Sequence, residues 1–261
     1  MNNPFDNHSV YENPEIVSYY LRANGLQPCE DYLFDAYIHL GDRVLDIGVG
    51  AGRTTPSLSS KASYYVGIDY SLGMVAACNR RFPALEFHWA DATDLGMFPD
   101  GAFDAVIFSF NGIDYVQTDG ARLKCLSEIN RVLRVGGRFI FSSHNARMTN
   151  LWPVGDIEPG RRNEIPSGAV EPSFSVWRKL RSIGKRLQYA VRRATRRSFY
   201  TGAGFAFDPV HGGLWTFEAT PKRWSQELAR AGFATKEVVS ALYPRKYSHF
   251  LTGWYYYAAI K

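Results

Sequence analysis

The chain has 261 residues, 46% of them hydrophobic, 21% charged and 15% aromatic, with a formal net charge of +5. That length suits one large domain or two small ones, and the apolar fraction excludes a disordered chain. No apolar stretch reaches the roughly 18–20 residues of a membrane span, the polar start does not read as a signal peptide, and three scattered cysteines (Cys29, Cys78, Cys125) argue against a disulfide framework. The expectation is a cytoplasmic protein in a single domain over 1–261.

Residues 1–40 read as a helical cap. Asn13-Pro14-Glu15 is a helix start, and Ile16, Tyr19, Tyr20, Leu33, Phe34, Tyr37 and Ile38 recur at helical spacing. Strands are predicted over 43–47, 63–69, 84–88, 103–109 and 138–143, with helices over 71–82 and 121–133 between them and a turn at Val135-Gly-Gly. Strand–helix alternation of this kind builds a parallel sheet covered on both faces. After an interruption, Thr220-Pro221 opens a helix to about Ala231, and the aromatic run 254–260 closes the chain as a strand. The fold class is α/β, doubly wound.

The interruption carries the protein's basic charge. Residues 161–200 hold eleven Lys or Arg against two acids, a local +9 set against −4 for the rest of the chain. On a helical wheel, Val176, Trp177, Leu180, Ile183, Leu187, Val191 and Ala194 share one arc, and the nine basic residues from Arg178 to Arg197 fall opposite. Three readings of this amphipathic helix stand open: a lid within the insertion 146–212, a helix lying on an anionic membrane surface through 174–197, and a nucleic-acid contact with no recognised RNA-binding module beside it.

The segment Asp46-Ile-Gly-Val-Gly-Ala-Gly-Arg53 places three glycines at alternate positions between a strand and a helix. Glycine lets the backbone turn sharply and approach a ligand with no Cβ in the way. Asp69 ends the second strand, where a carboxylate can accept both hydroxyls of a ribose, and Asp91 follows the third, placed for an adenine amino group. The glycine spacing departs from the dinucleotide fingerprint Gly-x-Gly-x-x-Gly, so an adenosine-type ligand without a pyrophosphate fits better.

Together with Val66-Gly-Ile-Asp-Tyr-Ser71, Asp91-Ala92 and Glu128-Ile-Asn-Arg-Val-Leu-Arg-Val-Gly-Gly137, the loop resembles the successive motifs of the class I S-adenosylmethionine-dependent methyltransferases, over roughly residues 10–145 and 213–261. The resemblance implies a seven-stranded sheet in the order 3-2-1-4-5-7-6 with the seventh strand antiparallel. It implies S-adenosyl-L-methionine as cofactor and S-adenosyl-L-homocysteine as product. Gly48, Gly50 and Gly52 would pass beneath the methionine part, with Asp46 and Arg53 at either end of the loop. Asp69 would hold the ribose, Tyr70 and Met74 would pack near the adenine, Asp91 and Ala92 would meet its edge, and Phe110-Asn111 would lie beside the sulfonium. One departure is Val135-Gly-Gly in place of Pro-Gly-Gly.

Methyl transfer needs a positioned nucleophile and, for a hydroxyl, a base. Ligands of open α/β sheets bind at the strands' carboxyl ends, which singles out Phe108–Tyr115 and Ser142-Ser-His144-Asn145. His144 is the candidate general base, with Asp114 to orient it or act as base itself. Asn145, His211 on a turn-rich loop and Tyr20 on the first helices are candidates for the acceptor side. The Asn-Pro-Pro-Tyr signature of nitrogen methylation is absent, which favours an oxygen nucleophile: a hydroxyl on a small molecule, sugar or lipid-linked glycan. The alternatives are a cofactor-binding protein without catalysis and an N- or RNA methyltransferase. No Asp, Glu or His cluster has metal-ligand spacing, so no metal is expected.

Overall fold

Near-continuous apolar runs make the centre of the sheet. β1 (Arg43–Ile47), β2 (Tyr64–Asp69) and β4 (Phe103–Phe108) are buried along almost their whole length. That is what strands covered by helices on both faces require. The computed structural model describes residues 7–148, 196–208, 214–245 and 248–261. β3 (Glu86–Trp89), β5 (Leu133–His144), β8 (Ala234–Ser240) and β9 (Trp254–Ile260) complete the order β3-β2-β1-β4-β5-β9-β8. β1 to β5 run parallel, and β9 is antiparallel to β5 over Arg138↔Ile260 through His144↔Trp254. This is the predicted seven-strand order, with β9 as its antiparallel strand.

Two further strands bring the described sheet to nine. β6 (Ala203–Asp208) and β7 (Leu214–Ala219) pair antiparallel, and β7 meets β5 at one place, His144↔Glu218. The sequence reading passed over this pair as part of the interruption. The predicted basic helix over 174–197 lies outside the described residues except for Arg196 and Arg197.

Among the described residues from 7 to 40 there are three helices: α1 (His8–Tyr11), α2 (Pro14–Arg22) and α3 (Pro28–Tyr37). Asn13 caps α2 by accepting from the Glu15 amide, and Glu30 Oε2 accepts the Gln27 amide at 2.7 Å to close a capping box on α3. The remaining helices are α4 (Thr55–Ser59), α5 (Leu72–Arg81), α6 (Asp119–Val132), α7 (Arg197–Thr201) and α8 (Pro221–Arg230). α8 opens as predicted, with Thr220 as cap and Pro221 in the first turn.

One turn is corrected. Val135-Gly-Gly does not interrupt the strand, because β5 runs from Leu133 and absorbs these residues as a bulge. Its pairing to β4 jumps from Phe103↔Leu133 to Ala105↔Arg138, and Gly136 takes φ 75°, a value open to glycine at little cost. Gly136 N–H donates to the Lys261 carbonyl and Lys261 N–H to Gly137, which ties the bulge to the chain's last residue. Phe141, Trp224 and Tyr257 pack together behind β5, each fully buried and worth roughly 1.5–3 kcal/mol of apolar transfer. That packing fixes the end of β5, where His144 stands.

Candidate functional site

The carboxyl ends of β1, β2 and β4 open onto a cavity of about 340 Å³. Gly48 and Gly50 form its floor after β1, with φ 62° and 56°. A Cβ at Gly48 would lie 2.8 Å from the Phe108 ring, so the turn there is as close to β4 as a bare backbone allows. Asp69, Tyr70 and Met74 line it after β2, Asp91 and Ala92 after β3, and Phe110 after β4. Tyr20 reaches it from α2. Nine residues singled out from the sequence therefore share one wall.

Asp69 is buried, and its two oxygens accept the Gly50 amide at 2.8 Å and the Ser71 amide at 2.9 Å. The carboxylate thus links the ends of β1 and β2 and keeps lone pairs for hydroxyl donors in the cavity. Burial pushes its pKa up to about 6, opposed by those amide bonds. Asp91 is exposed at the rim and turns its own loop by accepting the Thr93 amide.

Three predicted residues stand behind the wall. Asp46 accepts Thr54 Oγ1 at 2.7 Å and the Tyr65 hydroxyl at 2.9 Å, and burial pushes it up to about 6. Gly52, at φ 82°, passes so close to Phe82 that a Cβ would sit 2.4 Å from the ring. Arg53 turns away to form a two-pronged bond to Glu30, at 2.6 and 2.5 Å, with its guanidinium 5.1 Å above the Phe110 ring.

Glu30 is the residue the sequence reading missed. It is fully buried and also accepts Ser109 Oγ and the Tyr256 hydroxyl, both at 2.5 Å. Burial alone would raise its pKa, but the Arg53 charge and these donors hold it below the usual carboxylate range. The signal in the sequence was the Gln27–Glu30 capping box, which reveals a helix start and nothing of the partners that folding brings in.

The acid–base candidates meet. Asp114 lies in a short 3-10 turn (Gly112–Tyr115) and is fully buried. Its Oδ1 accepts Ser143 Oγ at 2.6 Å, and its Oδ2 accepts both the His144 amide and His144 Nδ1 at 2.7 Å. Burial raises the carboxyl's pKa, and the His144 ring pulls it back. With Nδ1–H donating to a carboxylate, Nε2 carries the lone pair. Asn111 stands 3.3 Å from it through Nδ2. Neither Asn111 nor His144 is part of the cavity wall, but Phe110 and Gly112, on either side of Asn111, are.

Asn145 is spent elsewhere. It is buried, and its Nδ2 donates to the His249 and Thr252 carbonyls while its Oδ1 accepts the Arg147 amide. It staples the loop before β9 and has no face for an acceptor. His211 lies outside the described residues.

A methyltransferase domain model matches residues 45–141. The demethylmenaquinone methyltransferase of Mycolicibacterium gilvum is 42% identical over 161 residues, covering 57% of this chain and 67% of the relative. That of Beutenbergia cavernae is 42% identical over 100 residues, covering 38% of this chain and 40% of the relative. The match thus spans less than half the length of the second. Among solved structures, a 1,6-didemethyltoxoflavin-N1-methyltransferase of Burkholderia thailandensis bound to S-adenosylhomocysteine superposes with TM-score 0.57 at 15% identity. The superposition covers 100% of this chain and 93% of that one, and carries the fold alone.

Proposed function

The chain belongs to the class I S-adenosylmethionine-dependent methyltransferases, and we propose that it transfers a methyl group to a hydroxyl-bearing small molecule whose proton is taken by His144. The cofactor's fit rests on the cavity itself. Gly48 leaves no room for a side chain at the floor, and the buried Asp69 carboxylate has lone pairs left for a ribose diol. In this reading Gly48 and Gly50 hold the methionine part, Asp69 the ribose, and Tyr70, Met74, Asp91 and Ala92 the adenine, with Gly52, Asp46 and Arg53 supporting the loop from behind. Bound there, S-adenosylmethionine supplies an electrophilic methyl on sulfur.

The single observation that carries the acceptor chemistry is the Asp114–His144 pair at the end of β5. Asp114 fixes the ring with Nε2 as proton acceptor and stabilises the charge that the ring gains. α1 to α3 serve as a cap over the cavity, supported by Tyr11 and Tyr20 in its wall and by Asn7, which bonds both the carbonyl and the amide of Trp215.

A second reading places the methyl on carbon. The relatives named for demethylmenaquinone favour a quinone-type acceptor. Deprotonation of a ring hydroxyl also makes the adjacent ring carbon nucleophilic, so the same base serves both. Methyl-labelled cofactor with a panel of phenols, hydroquinones, sugars and aromatic and aliphatic amines tests the proposal. Label recovered as a methyl ether is the expected result. A ring methyl selects the second reading, and label only on nitrogen overturns both.

A further inference from the structure

Aromatic rings gather at the surface where two segments meet near the end of β5. α7 carries Phe199 and Tyr200, and the turn before β9 carries His249 and Phe250. Tyr200 is 71% exposed and Phe250 41%. The Phe199 and Phe250 rings lie 6.2 Å apart at 28°, Tyr200 stands edge-on to Phe199 at 5.4 Å, and His249 lies 4.1 Å from Phe250. The four rings are therefore one continuous cluster. Single exposed apolar residues are ordinary, whereas a contiguous set marks a surface that meets a partner.

Both halves of the cluster are fixed to the strand that carries His144. Ser198, next to Phe199, donates through Oγ to Glu218 Oε1 at 2.5 Å, and Glu218 is the residue of β7 that pairs with His144. Asn145 Nδ2 donates to the His249 carbonyl at 2.5 Å and to that of Thr252 at 2.8 Å. Ser198, Glu218 and Asn145 are all buried. Satisfied buried anchors of this kind hold the exposed rings in place beforehand, so a partner need not order them.

The charge around the rings has one sign. Residues 196–207 contain Arg196 and Arg197 and no acid, and residues 241–253 contain Arg245 and Lys246 and no acid. Arg197 and Arg245 are exposed. The run of eleven bases against two acids over 161–200 ends, in sequence, at this same cluster. The surface thus fits a partner that is apolar at its centre and anionic around it. An anionic bilayer has that character, because aromatic rings settle at the headgroup level while Lys and Arg meet the lipid phosphates. Single-stranded nucleic acid also carries phosphate, but it needs open ring faces on which bases stack, and here Phe199 and Phe250 stack on each other.

We propose that Phe199, Tyr200 and Phe250, with Arg197 and Arg245, dock the protein on an anionic lipid bilayer. Docking brings the His144 end of β5 toward the lipid surface, and it stands whether or not His144 is the base.

The test is co-sedimentation of the full chain with sucrose-loaded vesicles of phosphatidylcholine, alone or mixed with phosphatidylglycerol. Wild type should partition about tenfold more strongly onto the mixed vesicles, and added salt should weaken it. Tyr200→Ser combined with Phe250→Ser should lower that partitioning about tenfold, with melting temperature and S-adenosylhomocysteine affinity unchanged. If the double variant melts early, Tyr200→Ser alone, at the most exposed ring, carries the test and should lower partitioning about threefold. Arg197→Glu should lower it more at low salt than at high salt. No partitioning onto the mixed vesicles, equal partitioning onto both kinds, or partitioning that the ring variants leave unchanged overturns the proposal. So does binding to labelled oligo(U) that the ring variants abolish, without binding to vesicles, which assigns the surface to nucleic acid.

Discussion

The Asp114 carboxylate holds His144 at two points at once, because Oδ2 accepts both the backbone amide and ring Nδ1 at 2.7 Å. The strand end and the imidazole are therefore oriented by the same oxygen. His144→Ala is expected to bind S-adenosylhomocysteine normally and to lose roughly a hundredfold or more of turnover. Asp114→Asn places an amide where three donors converge, so one donor group faces others. It should lower turnover at least as much and cost about 1–3 kcal/mol of stability. Steady-state rates beside thermal unfolding separate the two variants. Unchanged turnover in His144→Ala removes the ring from the chemistry.

With Asp69 as the proposed ribose ligand, its raised pKa should set the pH dependence of cofactor binding. Its folded-state pKa of about 6 lies above that of an unfolded aspartate, so the empty folded protein binds a proton more tightly than the unfolded chain does. In the window between the two values, stability of the empty protein rises as pH falls, and above about 6 the desolvated charge is a standing cost. Ribose hydroxyls that donate to the carboxylate favour its charged form. S-adenosylhomocysteine should therefore bind with proton release near pH 5–6 and weaken as pH falls below about 6. Calorimetry in two buffers of different ionisation heat reads the proton. Asp46 shares a pKa of about 6, and Asp69→Asn, which loses the linked proton while Asp46 keeps its own, assigns the effect.

Most of the sheet was legible because its strands are the apolar kind. Arg43–Ile47 ends in glycines and Trp254–Ile260 is an aromatic run, and both were read from pattern alone. β8, Ala-Thr-Lys-Glu-Val-Val-Ser, was not, because an edge strand paired only to β9 is half solvated and carries charges. His144 and Asp114 were legible as residues at strand ends, but their contact was not, since thirty residues separate them. The roles of Arg53 and Asn145 misled for a related reason. Position in a motif places a residue near the ligand, while the direction of its side chain depends on partners such as Glu30 and Thr252 that only the fold supplies.

Two glycines of the loop should fail differently when given a methyl group. At Gly50 a Cβ meets only the Tyr20 ring at 3.8 Å, so Gly50→Ala carries about 1–2 kcal/mol of left-handed strain and puts its methyl at the cavity floor. The expected outcome is a folded protein with S-adenosylhomocysteine affinity reduced about tenfold or more. Gly48→Ala adds a clash with Phe108 at 2.8 Å, so it should lose stability beyond the strain term as well as affinity. Thermal unfolding with and without S-adenosylhomocysteine compares them, and equal melting temperatures in the two variants would contradict the assignment.

The Glu30–Arg53 pair should behave as a buried ion pair rather than a surface one. Glu30 has no exposed area and Arg53 little, and the Arg53 guanidinium lies over the Phe110 ring while Ser109 and Tyr256 are further donors to Glu30. Removing one partner strands a buried charge, so Glu30→Gln should cost about 3–5 kcal/mol. Replacing both, as Glu30→Leu with Arg53→Met, should cost less than the two single changes together. The sign with pH is also fixed. The folded-state pKa of Glu30 is below its unfolded value, so its contribution is complete above the unfolded pKa and disappears as pH falls through the folded one. Urea unfolding of wild type and Glu30→Gln from pH 7 to pH 3 should show the gap between them narrowing toward acid. A gap that stays constant would mean that Glu30 acts by shape and not by charge.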